Sequence, residues 1–189
     1  MGPYLTIPNA LTSYRIACIP LVLYAYAQSL HGFAIAVLAA SLLTDFLDGQ
    51  IARRWNQESP FGALLDPVAD KFVVIAFVSY AWTMGACPTW AAIVYLARNI
   101  AQLMAIPILM VWLKRPFHVR PKWQPKWAGF LAFVLLPIFL FDKPLGLGIQ
   151  GTPVYFGVLF VSLALELYVL VTYVPRLIQI ARGTHDTFE

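Results

Sequence analysis

Six apolar stretches, most of them about 20 residues long, constrain this chain more than any other feature. They cover residues 11–30, 33–51, 61–84, 90–113, 127–141 and 154–174, the fifth being short for a membrane span. In hydrocarbon, backbone N–H and C=O groups find partners only within the protein, so runs this long are expected to be helices. The alternating ten-residue segments of an outer-membrane barrel do not occur. Composition agrees with a membrane reading. Of 189 residues, 60 % are hydrophobic and 12 % charged, about half the charged share of a soluble domain, and the mean hydropathy is +0.72. The expected fold is all-α: one integral membrane domain over residues 1–189, a bundle of six transmembrane helices. A short N-terminal surface segment is expected to stop at Pro8-Asn9, with Asn9 capping the first helix.

Charge placement orients the bundle. Arg53 and Arg54 lie between stretches two and three, and Lys114, Arg115, Arg120, Lys122 and Lys126 between four and five. Arg176 and Arg182 follow the sixth, whereas the other three connections hold only Lys143. By the positive-inside rule both termini and the basic connections face the cytoplasm. The net charge of +4 is thereby a topology signal, and no basic, aromatic platform for nucleic acid stands outside the spans. Cys18 and Cys87 are expected near opposite faces of the membrane, which excludes a disulfide between them. The three histidines are scattered without zinc spacing. Residues 1–14 hold no Lys or Arg, unlike a cleaved signal peptide, and the bacterial inner membrane is the expected location. Between the fourth and fifth stretches, Pro116, Pro121 and Pro125 argue against a continuous helix.

The chemistry sits where lipid should forbid charge. A charged side chain at mid-membrane costs about 2.5–3.5 kcal/mol on insertion scales. Yet Asp45 and Asp48 lie at the cytoplasmic end of the second stretch, and Asp66 and Asp70 at the start of the third. Spacings of three and four put each pair on one face of its helix, and a hairpin lets the two faces meet. Four converging carboxylates need positive charge among them. Arg53 and Lys71 are too few, so two hard divalent cations, Mg2+ or Mn2+, are the expected cofactors. Two such ions suit phosphoryl transfer, in which attacking and leaving oxygens both need stabilising. Gly49 permits a close approach beside Asp48, Ala52 is small on the same face, and Arg53 offers a bidentate fork for phosphate. Gly62 allows the third helix to start tightly.

Read in order, these residues form Asp45-x2-Asp48-Gly49-x2-Ala52-Arg53-x8-Gly62-x3-Asp66-x3-Asp70. The run resembles the signature of the CDP-alcohol phosphatidyltransferase family at every position. The resemblance extends to the six-span plan and to the opening Ile7-Pro8-Asn9-Ala10-Leu11-Thr12. It implies that Asp45 and Asp66 bridge two metal ions and that Asp48 binds one of them. Asp70 would contact the second metal and take the proton of an acceptor hydroxyl. Gly49, Arg53 and Ser59 would hold the CDP portion of CDP-diacylglycerol, with Asn9 and Thr12 closing over it. The resemblance also implies CMP as the leaving group, a membrane-lipid setting and a homodimer. Spacing alone does not single out Asp70 over Asp66 as the base.

The acceptor half is less specified. Residues 52–57 and 61–71 look like the phosphatidylglycerophosphate synthase branch, which makes glycerol 3-phosphate the expected small polar acceptor. Asn99 and the segment 121–127 depart from that branch, leaving phosphatidylglycerol, inositol phosphate and serine as alternatives. Arg98, Arg120, Lys122 and Lys126 are the candidate acceptor contacts. Arg98 has a second reading, a pairing with the other mid-span charge, Glu166. Two rival classes fit less well: an aspartate-rich prenyltransferase needs two well-separated acidic motifs, and a cation transporter needs polar residues across the outer half of the bundle.

Overall fold

Over the described residues, each apolar run is mostly helical. The computed structural model describes residues 7–55, 60–107, 118–119, 123–182 and 187–188. Within these, the side chains of residues 7–9, 45–55, 60–67, 106–107, 118–119, 181 and 187–188 lie outside the description. Among the described residues the long helices are α1 (Ile7–Ala27), α2 (His31–Trp55), α3 (Pro60–Thr83), α4 (Thr89–Pro107), α5 (Trp123–Leu145) and α6 (Pro153–Arg182).

Three of them are long and apolar enough to cross a membrane, over Ala10–Ala27, Trp123–Leu145 and Pro153–Ile180, and α2 has a shorter apolar part, His31–Thr44. That apolar part ends where Asp45 begins the charged run of α2.

Several boundaries differ from the sequence reading. Helix α1 spans Ile7–Ala27, so the helix already includes Asn9 rather than starting after it; the Asn9 side chain lies outside the described residues. Pro8 is no obstacle there, because first-turn N–H groups have no intrahelical acceptor. For the same reason α5 begins at Trp123 with Pro125 in its first turn, and it runs 23 residues rather than 15. The fourth helix is described only as far as Pro107. Of the connection that follows, His118–Val119 (β1) pairs in parallel with Thr187–Phe188 (β2), tying it to the C-terminal tail.

Side-chain contacts fix the helix directions. Arg15 meets Asp70 and Tyr26 meets Tyr80, so α1 and α3 run parallel in nearly constant register. Tyr95 meets Ser162 and Arg98 meets Glu166, so α4 and α6 also run parallel. Helix α1 packs against both α2 and α3, and α5 packs against α2, α3 and α6. We call the end of the bundle where α1 begins the near end.

Small residues join large apolar ones in the interior, while large apolar side chains also cover much of the surface. Small residues such as Ala69, Ala91, Ala92 and Ala128 are fully buried, while Val154 is 75 % and Tyr24 65 % exposed. Small residues at helix contacts let backbones approach closely where lipid supplies no hydrophobic drive between helices. Thr12, Arg15, Arg98, Asn99, Asp142, Ser162 and Glu166 are all buried.

At the far end the turns are closed by backbone caps. After α3, Gly85 adopts φ +66°, and Ala86 N–H donates to the Ala81 carbonyl at 2.8 Å, a Schellman ending. Beyond α5, the buried Asp142 carboxylate accepts the backbone N–H groups of Ile149 at 2.6 Å and Gln150 at 3.1 Å. The far end is thus less uniformly apolar than its sequence suggests, but this charge is consumed by the loop it holds.

Candidate active site

The aspartate motif falls on α2 and α3 at the near end. With a rise of about 1.5 Å per residue, Asp48 lies about 10 Å from the end of α2 and Asp66 about 9 Å from the start of α3. Asp45 and Asp70 each lie about 15 Å from those same ends. The helix rise therefore gives the two pairs matched depths. The side chains of Asp45, Asp48 and Asp66 lie outside the described residues, as do those of Asn9, Gly49, Ala52, Arg53 and Gly62, and Ser59, Arg120 and Lys122 entirely.

Asp70 is described, and it has a partner that sequence reasoning missed. Arg15 Nη1 donates to Asp70 Oδ1 at 2.8 Å, within the short range of charge-assisted hydrogen bonds. Arg15 is 1 % exposed and Asp70 34 %. One end of this pair is sealed and the other is partly exposed. The signal for Arg15 was present: a cation near the start of the first apolar run, where an unpaired charge is costly. Thr12, one turn earlier on the same face of α1, is fully buried.

Arg98 takes the second of its two readings in geometric terms. Its Nη1 lies 3.4 Å from Glu166 Oε2 and 3.5 Å from Oε1, with the side chains 3 % and 0 % exposed. The same Nη1 lies 3.5 Å from Asn99 Oδ1, while Asn99 Nδ2 donates to the Tyr95 carbonyl at 2.8 Å. One turn away, the hydroxyls of Tyr95 and Ser162 are 2.7 Å apart. Lys71, next to Asp70 on α3, lies within electrostatic reach of Arg98 and Glu166 as well. Lys126 stands exposed in the first turn of α5, apart from this cluster.

The donor set suits a hard divalent ion. Motif positions supply carboxylate oxygens, and Asp70, the one of them whose side chain is described, is partly exposed. Among the described residues no three His, Cys, Asp or Glu side chains converge as a metal site.

Comparison with known proteins decides the family. The profile of the CDP-alcohol phosphatidyltransferases matches residues 5–172. The chain belongs to this family. A cardiolipin synthase (CMP-forming) of Streptomyces coelicolor is 41 % identical over 112 residues, covering 56 % of this chain and 52 % of that protein. A CDP-diacylglycerol--glycerol-3-phosphate 3-phosphatidyltransferase of Pseudomonas fluorescens is 36 % identical over 158 residues, covering 75 % of this chain and 79 % of that protein. One of the same name from Cereibacter sphaeroides is 46 % identical over 78 residues, covering 39 % and 35 %. The chain thus spans about half the length of the Streptomyces relative.

Proposed function

We propose that this chain transfers a phosphatidyl group from CDP-diacylglycerol to an alcohol, releasing CMP. The supporting observation is the half-open Asp70 carboxylate at the near end of a family-matched bundle, at a depth shared with Asp45. In this reading the acceptor hydroxyl lies against Asp70, which takes its proton. The freed oxygen forms a bond to the lipid-bearing phosphorus, the bond from that phosphorus to CMP breaks, and Asp70 returns the proton to water. Asp45, Asp48, Asp66 and Asp70 would hold two divalent ions, Mg2+ or Mn2+. When bound, those ions stabilise charge on the attacking and leaving oxygens. Gly49, Ala52, Arg53, Ser59 and Gly62 would cradle the CDP portion, with Asn9 and Thr12 covering it from α1.

The proposed acceptor is glycerol 3-phosphate, as residues 52–57 and 61–71 suggest. Phosphatidylglycerol is the second reading, favoured by similarity to a protein named as a cardiolipin synthase. Arg120, Lys122 and Lys126 are the proposed acceptor contacts. Arg98 would join them only if it leaves Glu166. The six helices would all span the bacterial inner membrane, the near end and both termini facing the cytoplasm, in a homodimer.

Purified protein given CDP-diacylglycerol and a panel of acceptors tests this. Metal-dependent CMP release with glycerol 3-phosphate, and none with phosphatidylglycerol, is the expected result. Release with phosphatidylglycerol alone would replace the acceptor, and no release with any alcohol would sink the enzyme reading.

A further inference from the structure

We infer that Arg15 is a positioning residue for the reaction, acting through Asp70 rather than on substrate. This rests on the transferase reading above. The Asp70 carboxylate joins its chain through two rotatable bonds, and at 34 % exposure packing alone does not hold it. Arg15 can. Its guanidinium is 1 % exposed, so its own direction is set by the surrounding helices, and its 2.8 Å hydrogen bond fixes Oδ1. With one oxygen fixed, the plane of the carboxylate is restricted and so is the direction in which Asp70 meets the acceptor hydroxyl. A misplacement of about 1 Å in such a group costs on the order of 100-fold in rate.

The placement of α1 gives this contact a wider consequence. Thr12 and Arg15, three residues apart, share the buried face of α1 that continues through Cys18, Val22 and Ala25. Above Arg15 that face is apolar, and at Tyr26 it reaches Tyr80 of α3. Helix α1 is therefore keyed to α3 at both ends, and the near-end key is the base itself. Arg15 also brings a buried cation to Asp70, beyond the Arg53 and Lys71 that the motif region supplies in sequence. That location explains why a guanidinium sits well inside α1: its partner is there, and an exposed carboxylate needs an anchored cation to hold it.

Arg15→Met and Arg15→Lys in the full chain, reconstituted in lipid nanodiscs, separate positioning from the other roles. Three quantities are read: CMP release, affinity for Mg2+-CDP measured directly, and melting temperature. The expected result for Arg15→Met is a fall in kcat of about 100-fold, with the KM for CDP-diacylglycerol and the affinity for CDP within about 3-fold of the unaltered protein. Arg15→Lys, which keeps a donor and a charge, should recover at least about 10-fold of that loss. Full activity in Arg15→Met overturns the assignment. So does weakened CDP binding with kcat unchanged, since Arg15 would then be a phosphate ligand. Equal loss of kcat, binding and melting temperature in both variants would make Arg15 a structural residue only. Absence of CMP release from the unaltered protein would instead sink the transferase reading, and this assignment with it.

Discussion

Among the described residues, two arginine–carboxylate pairs join helices of the bundle, and they are built differently. Arg15–Asp70 is short, 2.8 Å, and its carboxylate is 34 % exposed. Arg98–Glu166 is longer, 3.4 Å, and both side chains are sealed at 3 % and 0 %. Charge-assisted hydrogen bonds run about 2.7–2.9 Å, so only the first has full strength. A buried pair must offset desolvation of both ions and often yields no net stability, yet breaking it strands one charge. The contrast separates roles that sequence alone leaves merged. The open pair leaves its carboxylate partly exposed, as the proposed reaction requires, and the closed pair joins α4 to α6.

The largest effect should come from breaking the closed pair. Glu166→Ala strands Arg98 and should destabilise the protein by about 3–5 kcal/mol, read as a fall in melting temperature in detergent. The double variant Arg98→Met/Glu166→Leu should return to within about 1 kcal/mol of the unaltered protein. If the double variant folds and its only defect is a raised KM for acceptor, Arg98 binds acceptor and the closed pair has a second role.

A smaller effect is expected one turn away. Tyr95→Phe removes the 2.7 Å hydrogen bond to Ser162, and should cost about 0.6–1 kcal/mol with CMP release unchanged. Loss of activity without loss of stability would show that the α4–α6 side belongs to the site.

The smallest change is expected at Cys87, in the turn between α3 and α4. Burial pushes its thiol up to about 12, which favours the neutral, unreactive form at pH 7.5. Maleimide should not label it in the folded protein and should label it readily after denaturation. Fast labelling of the folded state would show that this closed region opens.

Much of this arrangement was legible in the residues. Apolar runs located the six long helices among the described residues, because an uninterrupted apolar stretch of that length has few other solutions in a membrane. Arg98 and Glu166 could be matched as the two unaccounted mid-span charges. Arg15 was not matched to Asp70, because they are 55 residues apart and only the parallel packing of α1 on α3 joins them. The ends of α1 and α5 were misjudged for one shared reason: Pro8 and Pro125 read as breakers, but in a first turn proline removes no hydrogen bond. Asp142 was overlooked beside Lys143, since its partners are backbone N–H groups of a turn that no side-chain pattern announces.

The most direct test of the account is Asp70→Asn in the full chain, with CMP release and CDP-diacylglycerol binding measured on the same preparation. The account predicts that metal-dependent CMP release falls at least about 1,000-fold, as loss of a general base with its positioning allows, while the lipid binds within about 3-fold of normal. Retained turnover, or equal loss of binding and turnover, would contradict it.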